Sequence, residues 1–143
     1  VEASMETLRA TFETNFFGAY AVTRSLLPLV LQSSAGRIVN VSSELGSLTG
    51  HSNPSWKYDA VNPFAYVASK TALNALTVSL AKELRGTQVK VNSVNPGYTA
   101  TDLNNFQGPL TVEEGAREPV RLALLEDEGP TGGFFEDGGE IAW

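Results

Sequence analysis

The most regular hydrophobic pattern in the chain is a stripe of leucines at helical spacing. It consists of Leu73, Leu76, Leu80 and Leu84. The stripe predicts a helix with Asn62 as its N-cap and Pro63 in its first position, ending near Gly86. Lys70 falls on the same side as the leucines, which is the side that a helix normally buries. The pattern therefore places an ammonium group along the core-facing stripe.

Two shorter runs predict strands on either side of this helix. RIVNVS at 37–42 is β-branched and compact, as in a strand buried on both faces, and QVKVNSV at 88–94 predicts a second strand. An earlier helix is expected over 5–33, with Ser4 as its N-cap. Pro28 lacks a backbone N–H, so this helix is expected to bend or end early there.

The remaining segments predict one irregular stretch, one helix and one strand. Residues 43–62 are rich in Ser, Gly, Asn and Pro and are expected to be irregular. Thr111 and Glu114 have the spacing of a capping box, which predicts a helix to about Leu125. FFED at 134–137 predicts a short final strand.

The order of these elements predicts an α/β fold with a Rossmann-like parallel sheet. Helices and strands alternate along the chain, which is typical of right-handed helical crossovers between parallel strands. Ligands bind such sheets beyond the carboxyl ends of the strands. Ser42, Ser43 and the loop 95–101 follow two of these ends, and Tyr66 lies in the first turn of the central helix. We therefore expect all of them at one edge of the sheet.

Composition narrows the classes of function. The 143 residues are 42% hydrophobic and 18% charged, with a net charge of −6, and this acidity argues against nucleic acid or an anionic membrane as the main partner. The chain has no cysteine and one histidine, His51, so neither a disulfide framework nor a multi-histidine metal site is expected. No apolar run has the length of a membrane span, and the expected compartment is the cytoplasm.

Tyr66 and Lys70 are four residues apart and therefore neighbours on one helix face. A tyrosine has an ordinary pKa of about 10, and a nearby ammonium should lower that pKa toward the range where general acid–base catalysis is efficient. Ser43 could then donate a hydrogen bond to a substrate carbonyl oxygen. The alternative is structural: Tyr66 as an amphipathic surface residue and Lys70 as a side chain that extends its charge into solvent.

Four ordered motifs resemble the short-chain dehydrogenase/reductase family. They are TNFFG (14–18), GRIVNVSS (36–43), YVASK (66–70) and VNPGYTAT (94–101). The resemblance implies a catalytic tetrad of Asn15, Ser43, Tyr66 and Lys70. In the family, the tyrosine gives a proton to the carbonyl oxygen while hydride arrives from the nicotinamide, and the lysine lowers the tyrosine pKa and holds the ribose. The serine orients the carbonyl, and the asparagine supports a water in the proton relay.

The resemblance also implies contacts to the cofactor from the second loop. Pro96 and Gly97 lead into a segment that would meet the nicotinamide carboxamide, with Thr99 contributing its backbone and Thr101 its hydroxyl. Ser42 competes with Ser43 for the serine role, and strand alternation and motif spacing favour Ser43.

The last third of the chain resembles the carbonyl-reductase branch of the family. Its EEGA and LALL segments, the GPTGGF strand entry and the terminal Trp143 carry this likeness. The branch implies NADPH, with NAD not excluded, and reduction of ketones, aldehydes or quinones.

The nucleotide-binding part of the family pattern is not found in this sequence. We expect residues 1–143 to form a single domain, the C-terminal catalytic half of the fold, with three βα units preceding Val1. Strand 37–42 would then have an unpaired edge, which favours self-association. The alternatives are a catalytically inactive fragment that associates through that edge and, less favoured, an epimerase of the extended branch.

Overall fold

Five α-helices and four strands form the regular structure of residues 3–143, which a computed structural model describes. The helices are α1 (Met5–Phe12), α2 (Gly18–Val30), α3 (Leu48–His51), α4 (Phe64–Glu83) and α5 (Val112–Ala123). The strands are β1 (Arg37–Val41), β2 (Lys90–Val94), β3 (Phe134–Glu136) and β4 (Gly139–Glu140).

The sheet has the strand order β1-β2-β3-β4, which confirms the predicted parallel α/β architecture. β1 pairs in parallel with β2, and β2 pairs in parallel with β3. The fourth strand is antiparallel to β3 and was not predicted from the sequence. The turn between them uses Gly138 and Gly139 at φ values of 115° and 144°, which other residues rarely adopt. β1 forms one edge of this sheet.

The two faces of the sheet are covered by different helices. On one face, Leu80 and Ala81 of α4 pack against Val89 and Val91. On the other face, Leu122 of α5 packs with Val94 and Phe135. The candidate site residues follow the carboxyl ends of β1 and β2. These ends therefore lie at an edge of the sheet that has α4 on one face and α5 on the other.

The first helical segment begins at its predicted cap and ends earlier than residue 33. Ser4 Oγ accepts a hydrogen bond from Thr7 N at 3.0 Å, which confirms the cap. A π-helical turn, Glu13–Phe17, joins α1 to α2 without a break. Helix α2 ends at Val30, two residues after Pro28, as expected for a proline that removes one helical donor.

The predicted start of α4 is wrong by one position. Pro63, not Asn62, is the N-cap, because its ψ of 80° lies outside the helical range. Its carbonyl accepts the first bonds of the helix, from Tyr66 N at 2.9 Å and Val67 N at 3.0 Å. At the other end, Gly86 follows the last turn with a φ of 85°.

Residues 43–62 are less irregular than predicted. A short 3₁₀ turn, Glu44–Gly46, follows β1, and α3 is capped by Ser47, whose Oγ accepts from Gly50 N at 3.0 Å. The chain end fixes this segment, since Thr49 N donates to Trp143 O at 2.8 Å. The predicted capping box of α5 is confirmed, with Thr111 N donating to Glu114 Oε2 at 2.8 Å and Glu114 N donating to Thr111 Oγ1 at 3.2 Å.

Candidate active site

Tyr66 and Lys70 lie one turn apart at the start of α4, on the same side of the helix. The Lys70 Nζ is 5.5 Å from the centroid of the Tyr66 ring. The same Nζ donates a hydrogen bond to the backbone carbonyl of Val41 at 2.9 Å. Val41 is the last residue of β1, so the ammonium is held at the carboxyl end of that strand, beside the phenol ring.

Ser43 follows β1 in an extended conformation, with a φ of −157° and a ψ of 146°. Its hydroxyl lies within hydrogen-bonding reach of the Tyr66 phenol. Ser42 points elsewhere: it is buried, and its Oγ faces the Lys70 backbone carbonyl at 3.5 Å. Of the two candidate serines, Ser43 is therefore the one whose side chain affects the pKa of the Tyr66 phenol.

The electrostatics of the phenol differ from the sequence-based prediction. Burial raises the pKa of Tyr66, and the hydrogen bond from Ser43 offsets this rise only in part. Burial also lowers the pKa of the Lys70 ammonium. The expected lowering of the tyrosine pKa is thus wrong for this structure, because desolvation of the buried phenol dominates.

Asn15 lies in the π-helical turn and reaches α4 through an intervening serine. Its Nδ2 donates to Ser69 Oγ at 3.0 Å, and Ser69 Oγ donates to the Tyr66 carbonyl at 2.8 Å. Ser69 is completely buried. Sequence reasoning missed Ser69, although its place inside YVASK, directly before Lys70, was a usable signal.

The loop after β2 turns at Gly97. Its φ of 75° is a conformation that other residues rarely adopt, so the turn favours glycine, and a Cβ there would also lie 2.6 Å from the Leu110 Cδ1 methyl group. Asn104, which sequence reasoning also missed, holds the loop by donating to Thr99 O at 2.8 Å and accepting from Thr101 N at 3.1 Å. The Thr99 hydroxyl donates within the loop, to Pro96 O at 3.2 Å.

The predicted site residues therefore form two groups in this structure. Lys70 and Ser43 both lie beside Tyr66, with the Lys70 Nζ 5.5 Å from its ring centroid, and Asn15 is linked to the Tyr66 carbonyl through Ser69. Of the second loop, Pro96 and Gly97 line a cavity of about 420 Å³ together with Leu110, whereas Thr99 and Thr101 do not line it. Tyr66 lines a different cavity, of about 750 Å³, between α1 and the start of α4, and the two cavities share no lining residue.

Two features are absent from residues 3–143. No cluster of three or more histidine, aspartate or glutamate side chains is arranged to hold a metal ion within this range. Nor does the described part of the chain contain a helix that is long and apolar enough to cross a membrane.

Comparison with known proteins assigns the family. A family sequence model described as short chain dehydrogenase matches residues 1–109. The chain belongs to the short-chain dehydrogenase/reductase family. This result and the sheet topology confirm the family and the fold expected from the four motifs.

Individual relatives of this short-chain dehydrogenase/reductase chain are similar along most of its length. Salutaridine reductase of Papaver bracteatum is 35% identical over 90% of the chain and 51% of that protein. Carbonyl reductase Sniffer of D. melanogaster superimposes with a TM-score of 0.83 at 28% identity, covering 99% of this chain and 59% of the other. A short chain dehydrogenase of Escherichia coli CFT073 complexed with NADPH superimposes with a TM-score of 0.75 at 25% identity, covering 96% of this chain and 55% of the other. The chain thus spans about half the length of the relatives it matches.

Proposed function

We propose that residues 1–143 are the catalytic half of an NADPH-dependent reductase of small carbonyl compounds, with Tyr66 as the general acid. The observation that carries this proposal is the placement of Tyr66 and Lys70 one turn apart on α4, with the Lys70 Nζ 5.5 Å from the phenol ring and bound at the carboxyl end of β1, from which Ser43 follows. The names of the relatives, a salutaridine reductase and a carbonyl reductase, support reduction as the reaction class. Ketones, aldehydes and quinones are the proposed substrates.

The residues of this chain fit the nicotinamide end of such a cofactor. Tyr66 and Lys70 offer two donors for the ribose at the carboxyl edge of the sheet, and the backbone of Thr99 and the hydroxyl of Thr101 are the proposed contacts to the carboxamide. The bound NADPH complex of the similar dehydrogenase favours NADPH over NAD.

The pyrophosphate end has no matching residues in this sequence. The phosphate-binding fingerprint of the fold requires two glycines separated by a single residue, and no pair of glycines in the 143 residues has that spacing. The proposal is therefore that a separate dinucleotide-binding unit completes the site, and that this chain alone binds the cofactor negligibly.

The proposed mechanism assigns one role to each side chain. When bound, NADPH supplies the hydride to the carbonyl carbon. Ser43 donates a hydrogen bond to the carbonyl oxygen, and Tyr66 transfers its phenolic proton to that oxygen, which yields the alcohol and a phenolate. A phenol is protonated at neutral pH already at its ordinary pKa of about 10. Because burial raises the pKa of Tyr66 further, efficient proton transfer requires the charge of Lys70 to favour the phenolate as it forms. Lys70 stabilises the phenolate by its positive charge.

Asn15 acts further from the reacting atoms in this proposal. It is bound to Ser69, whose hydroxyl holds the carbonyl of Tyr66. In this structure, Asn15 therefore fixes the first turn of α4 through Ser69. The water in the proton relay that the family resemblance implies stays a prediction.

The test follows NADPH oxidation with an aromatic ketone or a quinone, using the protein together with any segment that precedes Val1 in its gene. Tyr66→Phe should lower kcat/KM by at least about 100-fold, the lower end of what a general acid contributes. Tyr20→Phe, on the exposed face of α2, is the matched control and should retain activity. Turnover that is unchanged in Tyr66→Phe would contradict the mechanism, and a micromolar Kd of residues 1–143 for NADPH by calorimetry would contradict the need for a second unit.

A second candidate is an inactive fragment that self-associates through β1. This strand is one edge of the sheet, and Val41 at its end is 50% exposed. Unpaired strand edges add further strands readily. Sedimentation velocity distinguishes the candidates: concentration-dependent dimers with no NADPH oxidation favour the fragment. An extended-branch epimerase and the cytoplasmic location stay predictions.

A further inference from the structure

The turn that carries Ser43 holds both the backbone and the hydroxyl of this residue. Gly46 N donates to the Ser43 carbonyl at 2.8 Å, which closes the turn over residues 43–46. Leu45 N donates to Ser43 Oγ at 3.2 Å. Because both ends of Ser43 are bound within the turn, a displacement of the turn displaces the hydroxyl.

The far end of this turn is attached to α4 by two side chains. The single proton of the Thr71 hydroxyl is shared between the Gly46 carbonyl at 3.0 Å and the Val67 carbonyl at 3.1 Å, and Asn74 Nδ2 donates to the Gly46 carbonyl at 3.4 Å. The backbone of Gly46 lies directly on the helix, since a Cβ at this position would come within 3.0 Å of Lys70 Cβ. The turn is thus fixed at a short distance from the helix that carries Tyr66.

Burying the polar side chain of Asn74 is unfavourable for folding, so its bond to Gly46 needs a reason. It is 3% exposed, and its Oδ1 has no hydrogen-bond partner among residues 3–143. A buried acceptor without a partner is unfavourable, and an apolar residue would avoid that cost. What asparagine adds here is the second donor to the Gly46 carbonyl.

We propose that Thr71 and Asn74 are positioning residues that set the distance between Ser43 and Tyr66 by binding the Gly46 carbonyl. This role rests on the proposed function, because it assumes that Ser43 and Tyr66 act on one substrate oxygen. The contacts themselves do not depend on that function.

The test measures the titration of the Tyr66 phenol in the 143-residue chain by NMR with ¹³Cζ-labelled tyrosine. The Tyr66 signal is identified by its loss in Tyr66→Phe. Ser43→Ala should raise the Tyr66 pKa, because it removes the hydrogen bond that lowers it. Thr71→Val should raise it in the same direction by about half of that shift or more, as expected for residues that share one network. Thr71→Ser, which keeps the hydroxyl, should restore the wild-type titration.

Three results would overturn the inference. They are an unchanged Tyr66 titration in Ser43→Ala, an unchanged titration in Thr71→Val, and a Ser43→Ala/Thr71→Val double variant whose shift is the sum of the single shifts. If Thr71→Val does not fold, Asn74→Ala replaces it under the same criteria. The readout is independent of turnover, so a failure of the proposed function appears as absent NADPH oxidation with normal titration shifts.

Discussion

Helices α2 and α4 are both long and rich in apolar residues, yet only α4 is covered. Helix α4 buries eight of its twenty residues, whereas α2 buries none. The buried residues of α4 include Asn74 and Thr77, which are polar, while α2 leaves Leu26 and Leu29 exposed. A helix is therefore buried where it contacts the sheet. Helix α4 packs across the sheet, whereas α2 reaches the same core only through Val30. Apolar composition alone does not identify the core helix.

The sharpest test of this contrast truncates one leucine on each helix. Leu80 of α4 packs against Val89 and Val91, and Leu29 of α2 is 64% exposed. Leu80→Ala should lower the free energy of unfolding by about 2–5 kcal/mol, because it removes buried methyl groups and leaves a cavity. Leu29→Ala should change it by no more than about 0.5 kcal/mol. Urea denaturation measures both, and equal losses would mean that α2 is covered in solution.

A smaller effect is expected from the polar part of the α4 core. Thr77 Oγ1 accepts from Asn40 Nδ2 at 2.8 Å and lies 2.8 Å from Ser93 Oγ, with all three residues buried. Thr77→Val keeps the shape but leaves two buried polar groups without this partner, so we expect a loss of about 1–3 kcal/mol.

The control for this prediction is Thr11→Val on α1. The Thr11 hydroxyl donates to Thr7 O at 2.8 Å on an exposed surface, where water can replace the bond. We expect a change within about 0.5 kcal/mol in the same urea experiment. A Thr77→Val variant as stable as wild type would show that the buried network adds nothing to stability.

The sequence was informative about elements and poor about contacts between distant segments. The cap at Ser4, the capping box of α5 and the parallel order all depend on local spacing or on element order, and the structure confirms them. The Pro63 cap was missed because Asn62 and Pro63 compete for adjacent positions, and only the ψ of Pro63 decides between them.

The sequence predicted which residues of the site are neighbours but not the direction of the Tyr66 pKa shift. The spacing of Tyr66 and Lys70 predicted their proximity on one helix face, and they are neighbours. The pKa prediction failed because the burial of the phenol, which dominates its pKa, depends on the packing of distant segments and not on any local pattern. The role of Ser69 was missed because its partner Asn15 is 54 residues away and is brought to it only by the fold. Asn104 was missed although its spacing to Thr101 is that of a capping box, a local signal.

The smallest expected effect is on the pH dependence of stability, and it again separates α4 from α2. Burial raises the pKa of Tyr66 above its ordinary value of 10.0, so the folded chain retains the phenolic proton at a pH where the unfolded chain loses it. The stability that this gives is fully present below pH 10 and is lost as the pH rises from there through the folded-state pKa. Lys70 has the opposite sign: its lowered pKa makes stability rise with pH up to its ordinary value of 10.5.

Tyr66→Phe should therefore lose less stability above pH 10 than wild type in urea titrations, whereas Tyr20→Phe, exposed on α2, should keep the wild-type slope. Identical alkaline slopes for Tyr66→Phe and wild type would show that the phenol is solvated in solution, as the residues of α2 are.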